Sequence, residues 1–191
     1  MGFYKYMREA WKKPRENLKE MTRQRLIQWR QEPVSLRIEH PTRIDRARSL
    51  GYKAKPGYII VRQRVIRSRR LRPQIRAGRK SKRMSRRKDL GISYQEIAER
   101  RAVKKYPNCE VLNSYWVIED ARHKWYEIIL VDKQHPSILA DSRISWIAES
   151  QHRRRVFRGL TASGKRSRGI LTHKGKGAEK LRPSRRAHNR P

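Results

Sequence analysis

The residues with the plainest chemistry are arginines. Between positions 62 and 88, Arg62, Arg64, Arg67, Arg69, Arg70, Arg72, Arg76, Arg79, Arg83, Arg86 and Arg87 recur together with Lys80, Lys82 and Lys88. No acid interrupts them, and 14 of the 27 residues are cationic. A guanidinium is planar, stays charged and offers paired N–H donors that match the oxygens of a phosphate. Its chemistry is therefore anion binding rather than proton transfer. An extended chain advances about 3.3 Å per residue, so this segment can pass between closely spaced anionic backbones and neutralise both. Gly78, Ser81 and Ser85 keep it thin. A second cationic set follows at Arg153, Arg154, Arg155, Arg158, Lys165, Arg166 and Arg168, and a third, mixed with apolar residues, comprises Arg43, Arg46, Arg48, Lys53 and Lys55.

Other chemistry is sparse. The six histidines, His40, His123, His135, His152, His173 and His188, show no metal-ligand spacing, and the single cysteine, Cys109, cannot build a zinc site. No phosphate-loop or dinucleotide fingerprint is present; Gly164-Lys165 and Gly175-Lys176-Gly177 have no strand before them. The acids Glu119, Asp120, Asp132 and Asp141 allow a metal-dependent nuclease as an alternative. Turn formation and pairing with arginine explain them more simply. The expectation is no catalytic residue, no metal and no cofactor. Four aromatics in basic surroundings, Trp11, Trp29, Tyr52 and Phe157, are candidates for stacking on unpaired bases. Core packing is the competing role, and the favoured one for Trp29.

The charge is segregated along the chain. Of a net +34, residues 1–61 carry +9, residues 62–88 carry +14, residues 89–150 carry −2 and residues 151–191 carry +13. So much like charge repels itself in a compact state and calls for an anionic partner. The two basic stretches are too poor in large apolar residues to offset their chain entropy alone. Residues 68–88 and 160–191 are expected to order only on binding. No apolar run approaches the roughly 20 residues of a spanning helix. Met1 to Lys13 lacks the apolar stretch of a signal peptide. A lone cysteine fits a reducing, cytoplasmic setting and a small buried hydrophobe.

Positioning elements follow from periodicity. Phe3, Met7, Ala10 and Trp11 mark one side of a short N-terminal helix, and Leu18, Met21, Leu26 and Trp29 one side of a second over 16–31. Ser35 to Glu39 suits a short strand. Thr42-x-x-Asp45 resembles a capping box opening a short helix that ends at Gly51. Gly57 to Arg67 reads as a strand whose later part aims Arg62 and Arg64 outward. Ser93-x-x-Glu96 caps a helix bearing Tyr94, Ala98, Ala102 and Tyr106, ended by Pro107. Val111–Ile118 and Trp125–Val131 form a hairpin, apolar on both faces and so expected to be central. Ile138 to Ala148 is a short helical or irregular piece with Trp146 packed back. The fold class is α+β: a small, mostly antiparallel sheet with packed helices, a long basic insertion and a basic C-terminal extension. The organisation is N-terminal helices at 1–33, an α+β domain at 34–150 with the insertion at about 68–88, and the extension at 151–191.

Composition alone allows a DNA-compacting protein as well as an RNA-bound one. Four blocks narrow the choice. They are Gly2 with Tyr4-Lys5-Tyr6; Pro41-Thr42-Arg43, Asp45, Ala47-Arg48 and Leu50 to Lys55; Val111 to Val117 with Glu119-Asp120; and Arg158 to Thr161 with Ser163-Gly164-Lys165 and Ser167-Arg168-Gly169. In this order they closely resemble the archaeal and eukaryotic large-subunit ribosomal proteins of the fifteen-e (L15e-type) family, over essentially the whole chain. The resemblance implies a non-enzymatic, cytoplasmic ribosomal constituent. Its partners would be large-subunit rRNA and neighbouring ribosomal proteins, with no membrane, small-molecule substrate or second copy of itself. RNA contact carries over to Arg43, Arg48, Lys53, Lys55, Arg158, Lys165 and Arg168. The segment from about Arg69 to Lys88 departs from the eukaryotic pattern, and the short tail after Gly177 looks archaeal.

Overall fold

A computed structural model describes residues 2–67, 76–79 and 91–171. Around a four-stranded antiparallel sheet of order β1-β2-β4-β3, helices cover both faces. The strands are β1 (Ser35–Ile38), β2 (Tyr58–Ile66), β3 (Cys109–Glu119) and β4 (His123–Asp132). The α+β architecture is as the sequence predicts. The expected disorder of 68–88 and 160–191 falls partly outside the described residues, which omit 68–75, 80–90 and 172–191.

Strand β4 is the centre. Trp125, Glu127 and Ile129 point to one face, and Tyr126, Ile128 and Leu130 to the other, as the two-residue strand period requires. The first face packs against Trp11, Trp29, Ala47 and Tyr52. The second packs against Ala98, Ala102 and Val156. A third cluster of Val131, Ile138, Ile144 and Ile147 closes one end. Beyond β4, the other hairpin strand departs from expectation. Strand β3 is equally apolar but lies at the sheet edge. Its register shifts between Val111 and Asn113 and between Trp116 and Ile118. Such irregularities twist an edge away from further pairing. Apolar faces mean that helices cover a strand; they do not say how many strands flank it.

Helix α1 (Phe3–Ala10) buries none of its residues, whereas Trp11 just beyond it is buried. The predicted second helix divides into α2 (Pro14–Asn17) and α3 (Lys19–Gln31), because Leu18 leaves the helical region at φ −128°, ψ 32°. Helix α4 (Ile44–Ser49) starts after Arg43, with no side-chain cap. The capping box read at Thr42 is not formed. The Thr42 backbone N–H instead donates to the Glu127 carboxylate at 3.0 Å. The helix does end at Gly51, whose φ of +98° suits a residue without Cβ.

Helix α5 (Tyr94–Lys105) is capped as read: Ser93 Oγ accepts from Glu96 N–H at 3.2 Å. The return half of the box is replaced, since Ser93 N–H donates to Ser167 Oγ at 3.0 Å and Glu96 pairs with Arg100. Helix α6 (Pro136–Leu139) and two short 3₁₀ turns at Ser145–Ala148 and Ser150–His152 follow the sheet. Helix α7 (Ala162–Ser167) then folds back onto α5 and β3. The folded body thus continues past residue 150, with Val156 and Thr161 both buried.

Candidate nucleic-acid interface

Three buried carboxylates organise the cationic surface. Glu127 sits in the middle of β4, opposite Arg62 on β2 and Tyr115 on β3. Its Oε2 accepts from the Tyr115 hydroxyl and from Thr42 N–H. Burial raises its pKa, against the pull of these donors and of Arg62. The same burial, helped by the neighbouring Glu127 charge, drives the Tyr115 phenol far above its ordinary value. Glu99, on α5, accepts from three hydroxyls: Ser114 at 2.5 Å, Ser163 at 2.6 Å and Thr161 at 2.7 Å. Burial again raises its pKa, and the hydroxyls oppose the rise. Glu110 accepts from Arg154 N–H at 2.8 Å and lies 3.6 Å from Lys133 Nζ. Each acid ties a cation-bearing segment to the sheet.

Consequently the cations read from the sequence divide into two groups. Those engaged within the fold come first. Arg62 turns inward, contrary to the outward aim expected for this strand. It pairs with Glu32, 30 residues away, and lies 4.1 Å from the Trp29 ring centre. Arg64 also folds back, donating to the Trp29 and Arg30 carbonyls that end α3. Arg67 donates to the Asp120 carbonyl at 3.0 Å. Lys53 and Lys55 converge on Asp141 at 3.0 and 2.6 Å and hold its pKa far below the usual carboxylate range. Arg43 stacks on Trp11 at 4.9 Å and donates to the Trp116 carbonyl, and burial lowers its pKa. Arg155 covers the Trp146 ring at 4.7 Å, Arg158 donates to the Arg153 and Gln151 carbonyls, and Arg168 donates to the Gly159 carbonyl.

The second group is exposed, and among the described residues its side chains make no ion pair: Arg153, Arg154, Lys165, Arg166, Arg76, Arg79, Arg46 and Arg48. Arg48 lies over the Tyr4 ring at 5.4 Å. Arg69, Arg70, Arg72, Lys80, Lys82, Arg83, Arg86, Arg87 and Lys88 lie outside the described residues.

A groove of about 600 Å³ gathers part of this second group. It runs between α1, α4, β3 and α7 and is lined by Arg8, Arg43, Arg46 and Arg166, with Gln95, Asn113 and Ser114 beneath them. Asp45 lines it too. The Gln95 amide donates to Ser114, the Ser114 hydroxyl to Glu99 and Arg43 to the Trp116 carbonyl. Arg8, Arg46 and Arg166 therefore supply its uncommitted guanidinium groups among the described residues, a donor type suited to anionic oxygens. Arg8 was not legible as a site residue. It shares a mixed-charge helix with Lys5 and Glu9, and only the approach of α1 to α4 brings it beside Arg46. The acids considered as a nuclease centre do not converge. Asp120 caps the hairpin turn by accepting from Arg122 and His123 N–H, Asp132 accepts from Gln134 N–H, and Asp141 holds the two lysines. Among the described residues no three His, Cys, Asp or Glu side chains cluster as metal ligands, and no helix is long and apolar enough to cross a membrane.

Fold and surface together define a basic α+β protein whose buried acids brace an array of outward cations. Comparison with known proteins gives the family. The chain belongs to the family described as Ribosomal L15 (Ribosomal_L15e), which matches residues 2–188. It is 52% identical over 189 residues to the large ribosomal subunit protein eL15 of Methanocella arvoryzae, covering 98% of this chain and 96% of that protein. The resemblance read from the four sequence blocks is therefore confirmed along nearly the full length.

Proposed function

We propose that this chain is a structural constituent of the large ribosomal subunit that binds and stabilises large-subunit rRNA through its arginine- and lysine-rich surface and extensions. The observation that carries the reading is the near-complete match to a relative named as a large-subunit protein. The surface chemistry is consistent with it. Arg8, Arg46 and Arg166 line one groove, and residues 62–88 and 151–191 carry +14 and +13 in their own right. Such a protein contacts RNA mainly through phosphates and shape, with little reading of base sequence. It performs no reaction, works in the cytoplasm within the ribosome, and sits beside other large-subunit proteins as a single copy.

Two measurements test this. The chain should co-sediment with large subunits through a high-salt wash; recovery with chromosomal DNA would refute it. The purified chain should also prefer its cognate large-subunit RNA over random duplex at physiological salt, with affinity falling steeply as salt rises through counterion release. Equal affinity for both would remove the specific part of the proposal.

A further inference from the structure

A second cavity lies away from the groove described above, where the end of α5 meets the start of the C-terminal extension. Its volume is about 770 Å³, within the range of pockets that hold a small molecule. Val103, Pro107 and Val156 supply an apolar wall. Lys104, Lys133, Arg153 and Arg154 stand around it, and the largely buried Glu110 also lines it, 3.6 Å from Lys133 Nζ. Arg153, Arg154 and Lys104 are exposed, and among the described residues their side chains have no ion-pair partner. Phe157 completes the lining and is 37% exposed.

Phe157 is the informative residue. Of the four aromatics in basic surroundings, Trp11, Trp29 and Tyr52 are buried at 7%, 4% and 9% exposure. They pack in the core and have no face to offer. Only Phe157 keeps ring surface open, and it does so inside a cavity ringed by cations. The backbone here is held in an uncommon shape. Arg154 has φ of +54°, the only described non-glycine residue in the left-handed region. Its N–H is fixed by the buried Glu110 carboxylate at 2.8 Å, and its carbonyl accepts from Phe157 N–H at 3.1 Å. That arrangement places Arg154 and Phe157 on one rigid turn. An apolar wall with an open ring suits a base; cations at its rim suit the phosphates on either side. A phosphate-only contact needs no open aromatic ring, and an apolar protein segment gains nothing from four cations.

We propose that this cavity receives one unpaired nucleotide of RNA, its base stacked on Phe157 and its flanking phosphates held by Lys104, Lys133, Arg153 and Arg154. The proposal rests on the reading of the chain as an RNA-bound ribosomal protein and adds a defined nucleotide site to it.

The test uses large subunits carrying the full chain, irradiated with short-wavelength ultraviolet light and searched by mass spectrometry for nucleotide adducts. A mononucleotide adduct is expected at Phe157, and the mass of the remnant identifies the base. Phe157→Leu keeps an apolar side chain at a part-exposed position. It should abolish that adduct, make one rRNA base newly reactive to chemical probes, and leave adducts elsewhere on the chain unchanged. As a second measurement, the free chain is titrated with a four-residue oligoribonucleotide and with an abasic oligomer of equal charge. Wild type should favour the oligomer with bases about tenfold more than Phe157→Leu does, the scale of one base–aromatic stack. Adducts on other residues but none at Phe157, a Phe157 crosslink to a neighbouring protein, or equal base preference in both forms would overturn the site. If the chain is missing from large subunits altogether, the functional proposal fails; if it is present but Phe157 is silent, only the nucleotide site fails.

Discussion

Thr161 donates its hydroxyl to the Glu99 carboxylate at 2.7 Å, across 62 residues of sequence. Thr161 is also the N-cap of α7, accepting from Gly164 N–H at 3.2 Å. One hydroxyl thus starts the helix and anchors it to α5. Glu99→Ala leaves the Thr161, Ser163 and Ser114 hydroxyls buried without their acceptor. The expected cost is roughly 3 kcal/mol, the scale of hydrogen bonds to a buried charge and the penalty of orphaned donors. Chemical denaturation of the full chain measures it. Limited trypsin digestion should cut earlier at Lys165 and Arg166 in the variant than in wild type.

Glu127 gives a pH signature. Its folded pKa is raised above the unfolded value by burial, so the folded state holds the proton more tightly. The associated stability is present below the unfolded pKa of about 4.3 and is lost as pH rises through the folded pKa. Glu127→Gln cannot titrate. Thermal melts of both forms across roughly pH 4 to 8, a window that begins near the ordinary glutamate value, should show wild type losing ground to the variant as pH rises. A constant difference would show that the carboxylate does not titrate in that window.

The two groups of cations should separate experimentally. Arg46→Gln or Arg166→Gln removes an exposed guanidinium without an ion-pair partner among the described residues. Each should leave the melting temperature unchanged and lower the slope of log affinity against log salt by about 0.7–0.9 per lost phosphate contact. Arg62→Gln behaves differently, because it strands the largely buried Glu32 carboxylate and uncovers Trp29. A stability loss of about 3 kcal/mol is expected, from the breaking of a largely buried pair. The direct effect on the salt slope should be small. Melting curves and salt titrations of all three variants give the comparison.

Gly164 faces Gly159 with no room between them. A Cβ at Gly164 would stand 2.6 Å from the Gly159 Cα, a backbone atom that cannot rotate away. Gly159 itself has φ of +66°. Gly164→Ala should therefore force α7 off the body at a cost of roughly 1–3 kcal/mol, read as a lower unfolding midpoint. Chain recovery in large subunits should fall with it.

Local patterns in the sequence determined much of this protein. The Ser93 cap, the Pro107 stop, the β3–β4 hairpin and the glycine at the end of α4 all follow from contacts within a few residues, which sequence spacing records directly. Charge segregation also pointed to a polyanion partner, and the four blocks identified the family. The tertiary structure alone decided which arginine does what. Arg62 and Arg46 are chemically the same residue. One meets Glu32 and Trp29 after the chain has turned back on itself, while the other meets no acid among the described residues. The same holds for the aromatics, where Trp29 is covered and Phe157 is left open. It holds for β3 as well, whose apolar faces are satisfied by helices while its edge stays unpaired by any described strand. Burial and pairing depend on partners tens of residues away, and no local spacing carries that distance.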